Sequence, residues 1–353
     1  MFELPRLENW VREQRSRRGW SQEELARRSG LSRAGISAIE TGRLVPSAAA
    51  ALALATAFDC RVEDLFRLPR PATQSAIWAW PPNHEPCRYW HAFVGERTLL
   101  YPVEATPLGV IPQDGISREG ASREQGRADP SDTLVIACCD PAVGLLAAEL
   151  ARSTGVRLIA LPRSSRAALV LLGHGLIHVA GVHMARVGDP GENATVVRDQ
   201  LGAGYRLLHV ARWEEGVTFK PCLHFATIRE AVHANLRWIG REPGSGARQC
   251  LDELFGGRQP PLCLASDHRS VAEAVRSGWA DVGVCLRLVS EEAGLDFLGV
   301  REEPYDLCFP DRWKSDHRIR ALIEVVRSSS YRRTLGELPG YESSETGELQ
   351  RVL

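Results

Sequence analysis

Hydrophobic and polar positions between Ser21 and Arg43 follow the period of two short helices that are separated by a glycine. Ser21 and Glu24 stand three residues apart, as in a capping box, so the pattern predicts that the first helix begins at Gln22. Gly30 is the expected end of this helix, because glycine readily adopts the left-handed backbone conformation.

The second helix has its own start and stop signals. Ser32 offers an N-cap hydroxyl, and Gly42 is the expected stop. The two helices share one apolar face, which consists of Leu25, Ala26, Leu31, Ile36 and Ile39.

Amphipathic segments flank this pair of helices. Leu7–Arg18 precedes the pair, and Ser47–Phe58 and Val62–Phe66 follow it after Pro46. The pattern therefore predicts a compact all-α domain of five helices.

Residues 7–66, with the pattern from Ser21 to Arg43 followed by Pro46, resemble the phage-repressor (XRE) helix-turn-helix family. The resemblance implies that the helix from Ser32 to Thr41 lies in the major groove of DNA. It also implies two sets of contacts. The residues facing base edges would be Arg33, Ala34, Ser37 and Ala38, and those holding phosphates would be Gln22, Ser32, Thr41 and Arg43.

Arg33 is the best candidate for reading sequence, because a guanidinium can bond both acceptors of a guanine. The alternative is that this surface is a solvated helix face in another kind of small bundle. Arginines modestly outnumber acidic residues in the first seventy positions, although the formal net charge of the whole chain is -1.

Composition favours a cytoplasmic protein. No apolar run is long enough to span a bilayer, and the N-terminus lacks the apolar core of a secretion signal. The nine cysteines have no paired spacing, as expected in a reducing compartment. Cys222 and His224 could bind a metal, but no second ligand pair accompanies them, so buried thiols, no metal and no cofactor are expected.

The chain changes character after Leu68, where prolines predict a linker. Arg88–Val94 and Arg97–Val103 flank Gly95 and Glu96, which predicts a β-hairpin. Gln113–Ser131 is polar and is expected to be a flexible linker. Four aromatic residues could stack on a ligand or form a small core, and the core is expected: Trp78, Trp80, Trp90 and Tyr101.

From Thr133 onward, apolar strands alternate with helices, which predicts an α/β domain. Leu236–Ile239 is an expected strand, and a glycine-containing loop, Arg241–Arg248, leads from it into a helix at Gln249–Phe255. Residues 267–270 are expected to cap a further helix at Val271–Arg276. Such a loop lets backbone N–H groups approach an anion closely, and the alternative is a tight turn without a ligand.

The order of segments from Thr133 to Tyr341 resembles the periplasmic-binding-protein-like domain that follows helix-turn-helix domains in bacterial regulators, a relative of the molybdate-binding proteins. The segments that carry this resemblance are Cys139–Ala142, His178–His183, Pro243–Arg248 and Ala280–Gly283. It implies two α/β lobes of the type II arrangement, with a ligand held between them. The ligand-binding residues would be Asp140, Ser164, Ser165, Gly244, Ser245, Gly246, Ala247, Arg248, Asp267 and His268.

Asp140 departs from this pattern, because it places a carboxylate where an oxyanion site favours a neutral hydroxyl. The ligand is therefore either an oxyanion or a small metabolite of mixed charge. An enzyme is the alternative class, since some residues of this domain could form a nucleophile with its base: Cys139, Asp140, His178, His183 and His268. No glycine-flanked nucleophile motif surrounds them, so no catalytic residue is expected.

The sequence thus predicts a multidomain chain with an all-α helix-turn-helix domain (1–68), a linker with a small β-rich module (69–131), a two-lobed α/β ligand-sensing domain (132–345) and a C-terminal tail (346–353). The expected function is ligand-responsive transcriptional regulation. The expected partners are a double-stranded DNA operator, a small molecule and a second copy of the chain, with no membrane. The alternatives are a metabolic enzyme with a fused DNA-binding module and a regulator whose vestigial cleft serves assembly.

Overall fold

The computed structural model describes residues 7–67, 76–118, 121–124, 128–184, 192–256 and 263–353. The chain divides into two compact units, Met1–Gln74 and Ser75–Leu353.

The N-terminal unit is helical, as the sequence predicts. Its elements are strand β1 (Glu8–Asn9), helices α1 (Val11–Arg17), α2 (Gln22–Ser29), α3 (Arg33–Glu40) and α4 (Ala48–Phe58), a 3-10 helix (Val62–Asp64) and strand β2 (Phe66–Arg67). The fifth predicted helix is therefore only one 3-10 turn, after which the chain pairs with β1. The core is built from residues that are almost wholly buried, among them Val11, Leu25, Ile36, Leu54 and Phe58.

Serine hydroxyls begin the two helices of the predicted pair. Ser21 accepts a hydrogen bond from the backbone N–H of Glu24, and Ser32 accepts one from that of Gly35. The Glu24 carboxylate does not complete the expected capping box but accepts instead from Arg27 and Arg28. Gly30 ends α2 with φ of 71°, as predicted.

A five-stranded sheet opens the second unit. Its strands are β3 (Ile77–Trp78), β4 (Cys87–Val94), β5 (Arg97–Pro102), β6 (Gly115–Arg118) and β7 (Ala121–Glu124), in the order β3-β5-β4-β6-β7. The β4–β5 pair is the predicted hairpin. Trp90 and Tyr101, two of the buried aromatic residues of this sheet, share a hydrophobic core with Val135 and Ile159, so they are packed and not available to stack on a ligand.

The prediction of a flexible linker at Gln113–Ser131 is wrong where β6 and β7 form. Asp114 explains the order of the chain there: its carboxylate is buried, accepts from the backbone N–H of His91 and pairs with both terminal nitrogens of Arg157. This polar segment is ordered because the Asp114 carboxylate has a cationic partner, Arg157, which lies 43 residues away along the chain.

A ten-stranded sheet forms the rest of this unit. Its strands are β8 (Thr133–Cys138), β9 (Arg157–Pro162), β10 (Val179–Val182), β11 (Tyr205–Phe219), β12 (Trp238–Arg241), β13 (Cys263–Ala265), β14 (Val282–Leu286), β15 (Asp296–Pro310), β16 (Tyr341–Glu342) and β17 (Leu349–Val352). The order along the main path is β13-β12-β14-β11-β15-β10-β8-β9, and β16 and β17 pair with β11. Residues 346–353, expected to be a tail, thus include a strand of the sheet.

Helices cover this sheet. They are α5 (Val143–Thr154), α6 (Ser165–Gly173), α7 (Glu192–Leu201), α8 (Ile228–His233), α9 (Gly246–Phe255), α10 (His268–Arg276), α11 (Arg287–Glu292), α12 (His317–Arg327) and α13 (Ser329–Gly336), together with two 3-10 helices, Pro130–Asp132 and Asp311–Trp313.

The sheet has two parallel halves that are joined by two long antiparallel strands. We call β8, β9 and β10 with α5 and α6 the first lobe, and β12, β13 and β14 with α8 to α11 the second lobe. Strands β11 and β15 each have 15 residues, pair along their whole length and pass through both lobes. This is the predicted two-lobed α/β architecture. Residues that follow parallel strands of both lobes, Cys139, His183 and His268 among them, meet in a buried interface between the lobes, which we call the cleft.

Two helices of the second lobe begin three residues earlier than the sequence predicted. Ser245 accepts from the N–H of Arg248, so α9 begins at Gly246 and not at Gln249. Asp267 accepts from the N–H of Ser270, so α10 begins at His268 and not at Val271. In both cases the cap draws residues of the predicted loop into the first helical turn.

Candidate functional site

The predicted DNA-contacting surface lies along α3 and its two ends. Arg33 and Ala34 are exposed in the first turn, Ser37 and Ala38 are half-buried, and Thr41 ends the helix. The Arg33 side chain is 69% exposed, and its closest carboxylate contact is Glu23 at 3.8 Å. It is therefore accessible to a base edge.

The other residues that were predicted to contact DNA differ in the hydrogen bonds that they make within the protein. Arg43 donates from Nε to Oγ1 of Thr41 at 2.9 Å, and the Thr41 hydroxyl donates to the carbonyl of Ser37. Ser32 is occupied as the N-cap of α3.

Gln22 holds the helix pair together. Its amide nitrogen donates to the Glu40 carboxylate at 2.8 Å, and Arg15 donates to the same carboxylate at 2.6 Å. Burial alone would raise the pKa of Glu40, but the hydrogen bonds from Arg15 and Gln22 outweigh it and lower the pKa. Glu40 thus links α1, α2 and α3 as an ionised group.

The second unit places most of the predicted ligand residues at the ends of strands and the starts of helices that face the cleft. Ser164 precedes α6, and the Oγ of buried Ser165 accepts from the N–H of His183 at 3.1 Å. Gly244 has φ of 93° and packs against the side chain of Arg166. Ser245, Gly246 and Ala247 form the buried start of α9.

Asp140 follows β8 and is buried. Its Oδ1 accepts from the N–H of Ala142 and from the hydroxyl of Tyr341, both at 2.8 Å. Burial raises the pKa of Asp140 to about 6. The Asp140 carboxylate therefore already accepts two hydrogen bonds from groups of the protein itself.

Arg248 does not offer a free guanidinium to the cleft. Its Nε donates to Asp252 at 2.8 Å, and Nη1 donates to the carbonyl of Arg241 at 3.3 Å. Asp267 is occupied in capping α10.

Arg241, which sequence reasoning did not select, is the unusual cation of this cleft. Its side chain is 1% exposed, and among the described residues none of its three guanidinium nitrogens has a hydrogen-bond partner. The Glu242 carboxylate oxygen lies 3.5 Å from Nη2. The sequence signal was its place at the end of strand β12, where ligands of α/β folds bind, but the strand had been predicted two residues too early.

His268 is the second unusual group. It is 1% exposed, and both ring nitrogens lack a hydrogen-bond partner within the described parts of the chain. Burial, with Arg241 as a further cause, holds the pKa of His268 well below its ordinary value. A neutral imidazole with two unused nitrogens is a group arranged for a ligand.

His183 connects the first lobe to the long strand β15. Its Nδ1 lies 3.0 Å from Oε2 of Glu303 on β15, and its Nε2 lies 2.9 Å from Sγ of Cys139. With the carboxylate accepting from Nδ1, Nε2 accepts from the thiol. Burial lowers the pKa of His183 to about 4 and holds the pKa of Cys139 well above its ordinary value.

Glu303 and Glu215 share one guanidinium. Arg301 contacts both carboxylates, with Nη2 at 3.0 Å from Glu215, and all three side chains are almost wholly buried. Burial raises the pKa of both glutamates to about 7. Neither residue was selected from the sequence, because they lie in the middle of strands that carry no motif.

His178 does not belong to this cluster. Its Nδ1 accepts from the N–H of Val135 at 3.0 Å, and Nε2 bonds the carbonyl of Phe93 at 3.0 Å. Both nitrogens thus join strands of the fold. The expected burial of the Cys222 thiol is wrong, since Cys222 is exposed.

Family models match both parts of the chain. Residues 147–327 match the PBP superfamily domain, and residues 11–65 match the helix-turn-helix model. The chain belongs to the PBP superfamily and carries an N-terminal helix-turn-helix domain of the type found in transcriptional regulators.

Two relatives from one bacterium each match a shorter stretch of the chain. The chain is 33% identical over 128 residues to the uncharacterized protein YvgK of Bacillus subtilis (strain 168), which is 34% of this chain and 41% of that protein. It is 44% identical over 62 residues to the uncharacterized HTH-type transcriptional regulator YgzD of the same organism, which is 18% of this chain and 94% of that protein. The chain thus spans less than half the length of YvgK.

Some solved structures align with this chain at low identity. PhnD1 from Prochlorococcus marinus (MIT 9301), solved with methylphosphonate, matches 62% of this chain and 95% of its own at 14% identity, with a TM-score of 0.43. An ABC-type phosphate transport receptor from Vibrio cholerae matches 60% and 99% at 12% identity, also with a TM-score of 0.43. Within the described ranges, no helix is both long and apolar enough to cross a membrane.

Proposed function

We propose that this chain is a ligand-responsive transcriptional regulator in which residues 1–68 bind an operator and residues 132–345 sense a small anionic molecule. The observation that carries the proposal is Arg241. A buried guanidinium without a hydrogen-bond partner is costly, and an anion in the cleft would satisfy it.

The surroundings of Arg241 support an anion. The start of α9, with buried Ser245 and Gly246, and the start of α10, with His268, face the same cleft, and helix N-termini favour negative charge. Arg241 replaces Arg248 as the proposed charge contact. Either an oxyanion or the carboxylate of a small metabolite fits this chemistry.

Binding is proposed in preference to catalysis. A nucleophilic cysteine needs a lowered pKa, whereas burial holds the pKa of Cys139 well above its ordinary value.

On the DNA side, we propose the contacts of Arg33, Ala34, Ser37 and Ala38 with bases and of Thr41 and Arg43 with phosphates. One recognition helix reads half of a palindromic site, which supports a homodimer.

The test is thermal unfolding of the full chain with molybdate, tungstate, phosphate, sulfate and small carboxylates. An anion that binds only the folded state at a hundred times its Kd adds about 2.7 kcal/mol of stability. We expect at least one anion to raise Tm, R241Q to lose this shift and R248Q to keep it. The active anion should also change the affinity of the chain for duplexes selected from a random DNA library.

An equal shift in R241Q and the unmodified protein would remove Arg241 from the site. A Tm shift without any change in DNA affinity would favour the alternative that the domain serves assembly or catalysis. Consumption of the added compound, followed by mass spectrometry, would identify an enzyme.

A further inference from the structure

Three side chains that could bind a metal ion meet where the two lobes touch. The ligand atoms of Cys139, His183 and His268 all lie within 4.8 Å of one another, and all three residues are buried. Cys139 and His183 belong to the first lobe, where they follow β8 and β10. His268 belongs to the second lobe, as the first residue of α10.

The surroundings orient these side chains as in a metal site. The Nδ1 of His183 is held by Glu303 at 3.0 Å, which directs Nε2 toward Cys139. A carboxylate behind a histidine is the usual support of a metal-bound imidazole. Glu303 is itself fixed by Arg301.

His268 supplies an independent observation. Its ring centroid lies 5.8 Å from that of His183, yet in the described parts of the chain neither of its nitrogens has a hydrogen-bond partner, although the side chain is 1% exposed. Fully buried polar atoms are nearly always satisfied, so an unpaired nitrogen beside a thiol and a second imidazole points to an absent ligand atom.

A second group of three, His183 with Glu215 and Glu303, is also compact. Both of its carboxylates are already bound by Arg301, which makes this group the weaker metal site. The first group has no cation bonded to it within the described residues.

We propose that Cys139, His183 and His268 bind a divalent ion of the Zn²⁺ class, and that this ion joins the two lobes. Cysteine and histidine are the ligands that Zn²⁺ prefers. In a tetrahedral site, sulfur and nitrogen ligands stand about 3.5 Å apart, so the observed spacing needs adjustments of about 1 Å. Binding releases the thiol proton to solvent, and three protein ligands leave a fourth position open.

The test uses Co²⁺ as a spectroscopic substitute for Zn²⁺ in the full-length protein after treatment with a chelator. We expect one equivalent of Co²⁺ to produce a thiolate-to-cobalt charge-transfer band and the visible bands of a tetrahedral ion, and Zn²⁺ to abolish both. Zn²⁺ should also raise Tm. C139S and H268Q should lose the bands, and circular dichroism of each variant checks that it folds.

C222S is the matched control, because Cys222 is exposed and has a histidine two positions away that could bind cobalt adventitiously. It should keep the full bands and the Tm shift. The proposal is overturned if the unmodified protein shows no charge-transfer band, if either C139S or H268Q keeps it, or if C222S loses it. The metal site does not depend on anion sensing, since R241Q should retain the cobalt bands.

Discussion

Gly246 of the second lobe packs directly against His183 of the first lobe: a Cβ atom at position 246 would lie 2.5 Å from Nδ1 of the imidazole. The ring cannot easily move away, because Glu303 and Cys139 hold its two nitrogens. This contact requires glycine and brings the start of α9 against the first lobe.

We therefore expect G246A to oppose the closed arrangement of the lobes. The added methyl group should lower Tm and reduce the Tm shift caused by the anion that stabilises the unmodified protein. Thermal unfolding with and without that anion measures both effects.

G144A is the matched control. Gly144 also lies in a helix, but a Cβ there would be 4.0 Å from its nearest neighbour, Leu108. Alanine should stabilise this helix by about 0.5–1 kcal/mol. Equal Tm values for G246A and the unmodified protein would contradict a tight contact between the lobes.

The burial of Arg241 leads to a prediction about the stability of the protein without ligand. R241M removes a buried cation whose three nitrogens lack hydrogen-bond partners in the described structure, so it should raise the free energy of unfolding by roughly 1–3 kcal/mol while abolishing the anion-induced shift. A gain of stability combined with a loss of binding is typical of a residue kept for its ligand.

Urea unfolding at constant m value measures this change. R248M is the control, because the Arg248 guanidinium donates a hydrogen bond to the carboxylate of Asp252, and its loss should not stabilise the protein. A destabilised R241M would show that the guanidinium is satisfied in solution and is structural.

Some features of the fold could be predicted from the sequence, and some residues of the site could not. The helix pair was predictable because its signals are local: Ser21 and Ser32 cap helices, and Gly30 ends one. Arg241, Glu215 and Glu303 could not be found in this way. They come together only through the pairing of β11 with β15 and of β12 with β14, which no local pattern contains.

The same difference between local signals and distant contacts explains why the ordered segment around Asp114 was predicted to be a flexible linker. The polar stretch around Asp114 contains nothing locally that orders it, and its partner Arg157 belongs to another sheet. Conversely, the positions of Asp140 after β8 and of Ser245 after β12 were predictable, because the apolar runs that form these two strands are visible in the sequence.

The raised pKa of Asp140 predicts how the stability of the protein changes with pH. Burial raises its pKa in the folded protein to about 6 from 3.8, so between these values the folded state binds more protons than the unfolded state. The contribution of Asp140 to stability is therefore complete below pH 4 and is lost as the pH rises through about 6.

D140N retains the Oδ1 acceptor for Ala142 and Tyr341 but does not ionise. Relative to the unmodified protein, the variant should gain stability as the pH rises from about 4 to about 6, on the order of 3 kcal/mol in total. Chemical denaturation at several pH values measures the difference. Above pH 7 the difference should become constant, and a difference that stays flat from pH 4 to 7 would contradict the raised pKa.

The final prediction concerns the part of Arg33 in DNA binding. Its side chain is 69% exposed in the first turn of α3, and Glu23, at 3.8 Å, is itself 80% exposed, so little holds the guanidinium back from a guanine edge. R33A should cost roughly 1–3 kcal/mol of binding to the selected operator and should relax base preference at one position per half-site.

R27A is the matched control, because the Arg27 side chain is 71% exposed on the neighbouring helix but is bonded to Glu24. Fluorescence anisotropy with the selected operator and with duplexes substituted at each position compares the two variants. R27A should keep the full base preference. If R33A weakens binding equally to every sequence, Arg33 contacts phosphate, and α3 lies in the groove in a different register from the one proposed here.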